Sequence, residues 1–346
     1  MTESLSALGW NPDLAQQFAT TAPPGCIPGR VGRIDRGGLL VHTGSDVVAA
    51  VPAGRLFRDD DADRLAVGDW VVLDDRRVIA ILPRRTVLTR QDSGGAAVEA
   101  PVASNVDIVL VVIALDGALR LGRLERYVAF AWSSGATPVV VLNKADRCPD
   151  VPGAVSEAET VAVGAAVHAV SAHDGTGLDE LRTYVVDGAT AALIGPSGVG
   201  KSTIVNRLTA TDASPTTEIR SDGKGRHTTT WRELVPLSGG GVLLDTPGLR
   251  GLALWESGEG VDATFADIGE LIENCRFTDC AHKAEPGCAV LGAVEAGTLA
   301  PERLARYRKL LREEAWLAGR RDARARAAES ARLRRFSREI RDQPHR

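Results

Sequence analysis

Hydrophobic and polar positions divide the chain into three unequal parts. The run Val106 to Leu115 is apolar apart from Asp107. It is too short to cross a membrane and the right length for a parallel strand buried on both faces. Strand-like segments follow at Pro138 to Leu142, Val167 to Val170, Ala191 to Ile194 and Gly241 to Leu244. Helical spacing lies between them at Gly122 to Ser134, Leu178 to Val186 and Lys201 to Leu208, so this part predicts an α/β sheet with covering helices.

Upstream, Gly29 to Val51 and Val67 to Leu82 are short β-type runs, with hairpin turns predicted at Gly37-Gly38 and Asp74-Asp75. The turn Val67-Gly68-Asp69 stands directly before Trp70-Val71-Val72-Leu73. About five strands fit, which suits a small barrel of the oligonucleotide-binding (OB) type. Residues before Pro28 have too little periodicity to place, and Gln91 to Ala103, with Gly94-Gly95 and Pro101, reads as a linker or mobile loop. Downstream, Phe265, Ile268 and Ile272 have helical spacing. A further helix over Pro301 to Leu317 puts Leu304, Tyr307, Leu310, Leu311 and Trp316 on an apolar face, with Arg303, Arg306, Arg308, Lys309 and Arg312 around it.

The expected architecture is multi-domain: an N-terminal extension (1–28), an OB-type barrel (29–90), a linker (91–103), a central α/β domain (104–255), a mostly helical domain (256–318) and an Arg-rich tail (319–346). A length of 346 residues accommodates it. No run of eighteen apolar residues and no basic-then-apolar leader occurs, so the reading is a soluble, cytoplasmic protein. The formal charge of −4 conceals an uneven spread: from Pro301 onward 15 Lys or Arg face 7 Asp or Glu, and the rest of the chain carries about −12. That end could bind RNA phosphates or serve only as a solubilising surface. Arg84, Arg85 and Arg90 at the barrel exit offer the same two readings.

The candidate chemistry centres on Gly195, Pro196, Ser197, Gly198, Val199, Gly200, Lys201, Ser202 and Thr203, between a strand and a helix. This is a phosphate-binding loop: backbone N–H groups wrap the phosphates, Lys201 reaches the outer ones and Ser202 ligates Mg²⁺. Asn143-Lys144-Ala145-Asp146, at a strand end, is a guanine-recognition tetrad. Asp146 can accept from the two ring-edge donors of guanine, whereas adenine would face it with a lone pair. Lys144 can pack its stem along the base and Asn143 can support the loop. Ser171-Ala172 matches a second base-contacting loop, whose N–H groups could meet the guanine carbonyl. In the polar loop Gly225 to Thr230, Thr228 or Thr229 could reach Mg²⁺. Asp245-Thr246-Pro247-Gly248 supplies Asp245 to Mg²⁺ through water and a Gly248 N–H to the γ-phosphate. Asn143 precedes Gly195 by 52 residues and Asp245 by 102, so the parts are circularly permuted relative to the usual order. Permutation can leave the spatial arrangement intact.

Cys275, Cys280, His282 and Cys288 follow the pattern Cys-x4-Cys-x-His-x5-Cys. Three thiolates and one imidazole can close a structural Zn²⁺ shell, and an odd total of five cysteines argues against a disulfide framework.

Together, the Val67-Gly68-Asp69-Trp70 turn, the permuted motif order, Gly225-Arg226-His227-Thr228-Thr229-Thr230 and the cysteine-histidine spacing resemble the bacterial small-ribosomal-subunit-dependent, circularly permuted GTPases. The resemblance covers about Gly29 to Lys309. It implies a GTPase acting late in small-subunit maturation, with hydrolysis stimulated by the subunit and with the barrel and zinc-bearing domain contacting its rRNA. The expected protein is a monomer without a DNA or membrane partner. Many GTPases carry a water-orienting glutamine after Asp-x-x-Gly, where this chain has Leu249. The resemblance points instead to His227 as the residue that positions water. The competing reading is a GTP-dependent switch on another RNA or protein, such as a tRNA-modification or translation regulator.

Overall fold

Strand order in space differs from strand order in sequence, and that difference brings the motifs together. The computed structural model describes residues 5–35, 38–44, 46–54, 64–91, 99–210, 233–237, 239–245, 258–312 and 315. Its central sheet contains β8 (Ile108–Ala114), β9 (Thr137–Asn143), β10 (Ala166–Val170), β11 (Thr190–Ile194), β12 (Glu233–Leu237) and β13 (Gly241–Asp245). They lie in the order β10-β9-β8-β11-β13-β12, parallel except for β12. The apolar run makes β8 an interior strand. Val109, Val111 and Ile113 enter a core with α2 (Leu121–Ser133) and α3 (Val151–Glu159), while Leu110 and Val112 face α4 (Leu178–Arg182) and α5 (Lys201–Ala210). Alternate side chains of one strand thus fill two cores.

The N-terminal part is a closed five-stranded barrel: β1 (Ile27–Asp35), β2 (Gly38–His42), β3 (Val47–Pro52), β4 (Trp70–Asp74) and β5 (Arg77–Ile81). Pairing runs β1-β2-β3-β5-β4 and returns to β1. Val31, Val41, Val71, Leu73 and Val78 are buried in its interior with Leu39, Ala50 and Leu65. The predicted turn before β4 depends on Gly68, whose φ is +94° and whose imagined Cβ would lie 2.3 Å from Ser104 O.

Two segments differ from the sequence reading. Residues 91–103 are not simply a linker: β6 (Val87–Gln91) and β7 (Glu99–Ser104) pair as an antiparallel hairpin. The glycines and proline that suggest a loop do not prevent the flanking residues from pairing. The N-terminal stretch holds α1 (Pro12–Thr21), capped by Asn11 Oδ1 accepting from Leu14 N at 3.0 Å. Trp10 sits edge-on to Trp70 at 4.9 Å, so this helix is tied to the barrel by aromatic packing and not by long periodicity.

The barrel continues the central sheet through β1 and β12, paired at Arg33 and Glu233. A polar joint reinforces this. Buried Arg30 donates to Leu8 O, to Gly68 O at 3.3 Å and to Asn105 O at 3.1 Å. Burial pulls its pKa down to about 10. The C-terminal lobe comprises α6 (Gly258–Thr264), α7 (Ala266–Ile272), α8 (Ala289–Glu295) and α9 (301–312) around Val261, Phe265, Ile268, Val290, Leu304 and Tyr307. The expectation that Arg303 belongs to a charged surround fails: it is 5% exposed and crosses to the central domain. Leu311, expected on the apolar face, is exposed.

Candidate functional site

The permuted order closes into one site. β11 delivers the phosphate loop to the sheet edge beside β8, and β9 delivers Asn143 on the far side of β8. Gly195 has φ +139°, and a Cβ there would fall 2.1 Å from Val112 O on β8. Gly200 has φ +98°, and a Cβ there would meet Asn143 Nδ2 at 2.3 Å. Each end of the loop therefore needs glycine for both torsion and space. Ile204, Val205 and Leu208 bury one face of α5 and anchor the helix that begins at Lys201. Lys201 Nζ donates to Gly195 O and Pro196 O, both at 2.7 Å, which curls the ammonium over its own loop.

Asn143 ties the candidate base loops to the candidate phosphate loop. Its Nδ2 donates to Val199 O at 2.7 Å, and its Oδ1 accepts from Ala172 N at 3.0 Å. With Asn143 only 2% exposed, these bonds are shielded from water. Ser171 Oγ donates to Asp146 Oδ1 at 2.8 Å, orienting that carboxylate. Lys144 takes a left-handed φ of +65° and its Nζ donates to Asp116 Oδ2 at 2.5 Å. That bond is the largest cause holding the Asp116 carboxyl below its ordinary pKa. Asp116 was not singled out from sequence, although an acid just beyond an interior strand end was a usable signal.

The Ser171-Ala172 loop stands beside Asp146 as expected, but both of its N–H groups have protein partners. Ser171 N donates to Thr176 O at 2.9 Å and Ala172 N to Asn143. A guanine carbonyl would share the Ala172 donor. β13 pairs with β11 as far as Leu244 and Ala192, and the next residue, Asp245, pairs with Glu233 on β12. His227, Thr228, Thr229, Gly248 and Leu249 lie outside the described residues, as does the Arg-rich tail. Arg84 and Arg85 have structural partners: Arg84 Nε lies 2.7 Å from buried Asp69 Oδ1, and Arg85 Nη2 lies 3.0 Å from Asp107 Oδ1.

The second candidate site joins Cys275, Cys280, His282 and Cys288, whose donor atoms all lie within 4.8 Å of one another. Cys275 and Cys288 sulfurs are 3.9 Å apart, and His282 Nδ1 lies 3.6 and 3.5 Å from them. A tetrahedral cation with sulfur bonds of ~2.3 Å requires edges of ~3.8 Å, so the donors fit a metal. Glu285 shapes the loop without being a ligand. Its carboxylate accepts from Ala281, Lys283 and Ala284 N–H groups. Backbone donation, led by its own N–H and that of Ala284, pulls its pKa down to about 2.

The RsgA GTPase family profile matches residues 81–255, the span that carries both base loops and the phosphate loop. A Streptomyces coelicolor protein named small ribosomal subunit biogenesis GTPase RsgA is 48% identical, over 94% of this chain and 90% of its own. The chain belongs to the RsgA GTPase family. An RsgA of the same name from Opitutus terrae is 42% identical, over 92% of each chain. The crystal structure of YjeQ from Thermotoga maritima superposes with a TM-score of 0.63 at 26% identity, over 83% of this chain and 98% of that one. That of YloQ, described as a circularly permuted GTPase, gives 0.62 at 24% identity, over 84% and 95%. The RsgA assignment makes the protein a GTP-hydrolysing enzyme, with the permuted fold, closed barrel and Cys₃His cluster already described.

Proposed function

We propose that this GTPase acts on the small ribosomal subunit late in its maturation and that the subunit stimulates its turnover. The observation that supports the reading is Asn143 bridging Val199 and Ala172, which brings the tetrad, the Ser171-Ala172 loop and the 195–203 loop together despite their permuted order. The names of the RsgA relatives supply the partner.

In this reading Asp146 accepts from the guanine edge, Lys144 lies along the base and residues 195–203 hold the phosphates. Ser202, Asp245 and Thr228 or Thr229 would hold the Mg²⁺ that accompanies GTP, which would supply charge neutralisation on the phosphates. Gly248 senses the γ-phosphate. His227 positions the attacking water, because Leu249 has no polar atom to do so. Zinc is the metal for Cys275, Cys280, His282 and Cys288: a closed Cys₃His set leaves no open position for substrate and favours a structural role. The enzyme works as a cytoplasmic monomer, with rRNA as the contacting surface and no DNA or membrane partner. Among the described residues no helix is long and apolar enough to cross a membrane.

The test is GTP turnover with and without small subunits, with large subunits and ATP as controls. Stimulation should be specific to small subunits and GTP, and His227→Ala should abolish it. Equal turnover with either subunit, or an unstimulated rate, would defeat the reading.

A further inference from the structure

Between the start of α2 and α9 lies a cleft of about 390 Å³, lined by Arg120, Arg123, Arg126, Arg306 and Lys309 with Glu125 and Tyr127. It uses neither the nucleotide loops nor the metal ligands. Five cations surround one carboxylate. That carboxylate is buried and already serves two arginines of α9, with Arg303 Nη1 3.0 Å and Arg306 Nε 2.6 Å away. Among the described residues Arg120, Arg123 and Lys309 have no carboxylate partner, and Arg120, Arg123 and Lys309 are exposed.

The start of α2 makes this excess sharper. Helix N-termini carry partial positive charge and favour Ser, Thr, Asp or Asn caps and acidic first turns. Here Arg120 occupies the cap position, no side chain caps the helix, and the first turn has no acid. Arg123 adds another positive charge there. Gly122 keeps the wall close, since a Cβ on it would stand 3.3 Å from Arg306 Cδ. Around the single Glu125 carboxylate, the backbone field and the cationic side chains of two helices thus converge on one volume. A diffuse solvated surface would not require such convergence.

We infer that this cleft holds the phosphodiester backbone of RNA, at the junction of the GTPase domain and the metal-bearing lobe. Clefts of this size accept a nucleotide-sized group, and guanidinium forks match phosphate oxygens. The basic bias of the sequence from Pro301 onward continues the same charge. Choosing RNA as the polyanion rests on the small-subunit reading. The positive cleft itself does not.

The test compares the full-length protein with the variant Arg120→Gln/Arg123→Gln/Lys309→Gln, both loaded with a non-hydrolysable GTP analogue. Affinity is measured against salt for purified small subunits and for a bare duplex-rich RNA fragment. Each lost phosphate contact makes the log–log salt slope shallower by about 1. The variant should therefore show slopes shallower by about 2 to 3 and binding weaker on the order of 10- to 100-fold at ~0.15 M salt. GTP affinity, unstimulated turnover and melting temperature should stay unchanged, since these side chains touch neither nucleotide nor core. Unchanged slopes on both RNAs would overturn the inference while leaving the subunit reading intact. Wild-type binding to bare RNA with the slope difference preserved, but no binding to subunits, would support the cleft and defeat the subunit reading. Wild-type binding to neither would overturn both.

Discussion

The central domain is joined to a second unit on each side, and the two joints are made of different material. On the barrel side, β12 pairs with β1, and Arg30 and Asn105 bond mainly to backbone carbonyls around Gly68. On the lobe side, α6 packs along α2 and ion pairs cross beside it. Arg303 reaches Glu125 on α2, Asp267 at 2.6 and 2.7 Å, and Thr264 O at 3.0 Å, and its guanidinium lies 4.7 Å from the Phe265 ring centroid. A main-chain joint can shift only by breaking strand pairing. A side-chain joint can shift by exchanging partners. The ion pairs can exchange partners only as far as the α2–α6 packing allows, and α6, the lobe's first described helix, follows the segment after Asp245.

Removing the metal should separate the two joints most strongly. Structural zinc contributes on the order of 10 kcal/mol to folding of small domains. Chelation or Cys288→Ser should therefore cost the region 275–312 its hydrogen-exchange protection while the barrel amides stay protected. Equal loss on both sides would erase the distinction. Arg303→Met should be next, at about 3–5 kcal/mol, because it strands buried Glu125 with one fewer cation. The loss should be seen as faster exchange in α6 and α9. Adding Glu125→Gln should recover part of it, since the stranded charge disappears. Gly68→Ala tests the barrel side. A Cβ close to Ser104 O at a left-handed φ should destabilise by about 2–3 kcal/mol, lowering the melting temperature without exposing the metal loop.

Local chemistry made the site readable in the sequence, while long-range pairing hid the joints. The phosphate loop, the tetrad at Asn143 and the Cys₃His set each need fixed residue types at fixed spacing, and the described members come together as expected. Residues 233–237 carry no such signature, so the glycine-heavy stretch around them concealed β12 and its partnership with β1. Arg303 likewise reads as a surface cation in any helix of that composition. Its burial depends on Glu125, 178 positions earlier, together with Asp267 and Thr264 O. Pro101 did not forbid strand β7, because pairing there depends on the partner strand as well as on propensity.

The strand order also sets a timetable during synthesis. β8, β9 and β10 emerge first and can pair at once, but the β8 edge that becomes the middle of the sheet stays open until Thr190–Ile194 is made. An open strand edge invites pairing with other chains. The N-terminal barrel and α1 are complete before that interval begins, and Gly9 meets Gly188 only as the chain arrives two residues ahead of β11. A nascent chain of this protein thus carries an open sheet edge that passes from β8 to β11 and is covered only when Gly241–Asp245 is made, an interval during which a chaperone or slower translation would matter most.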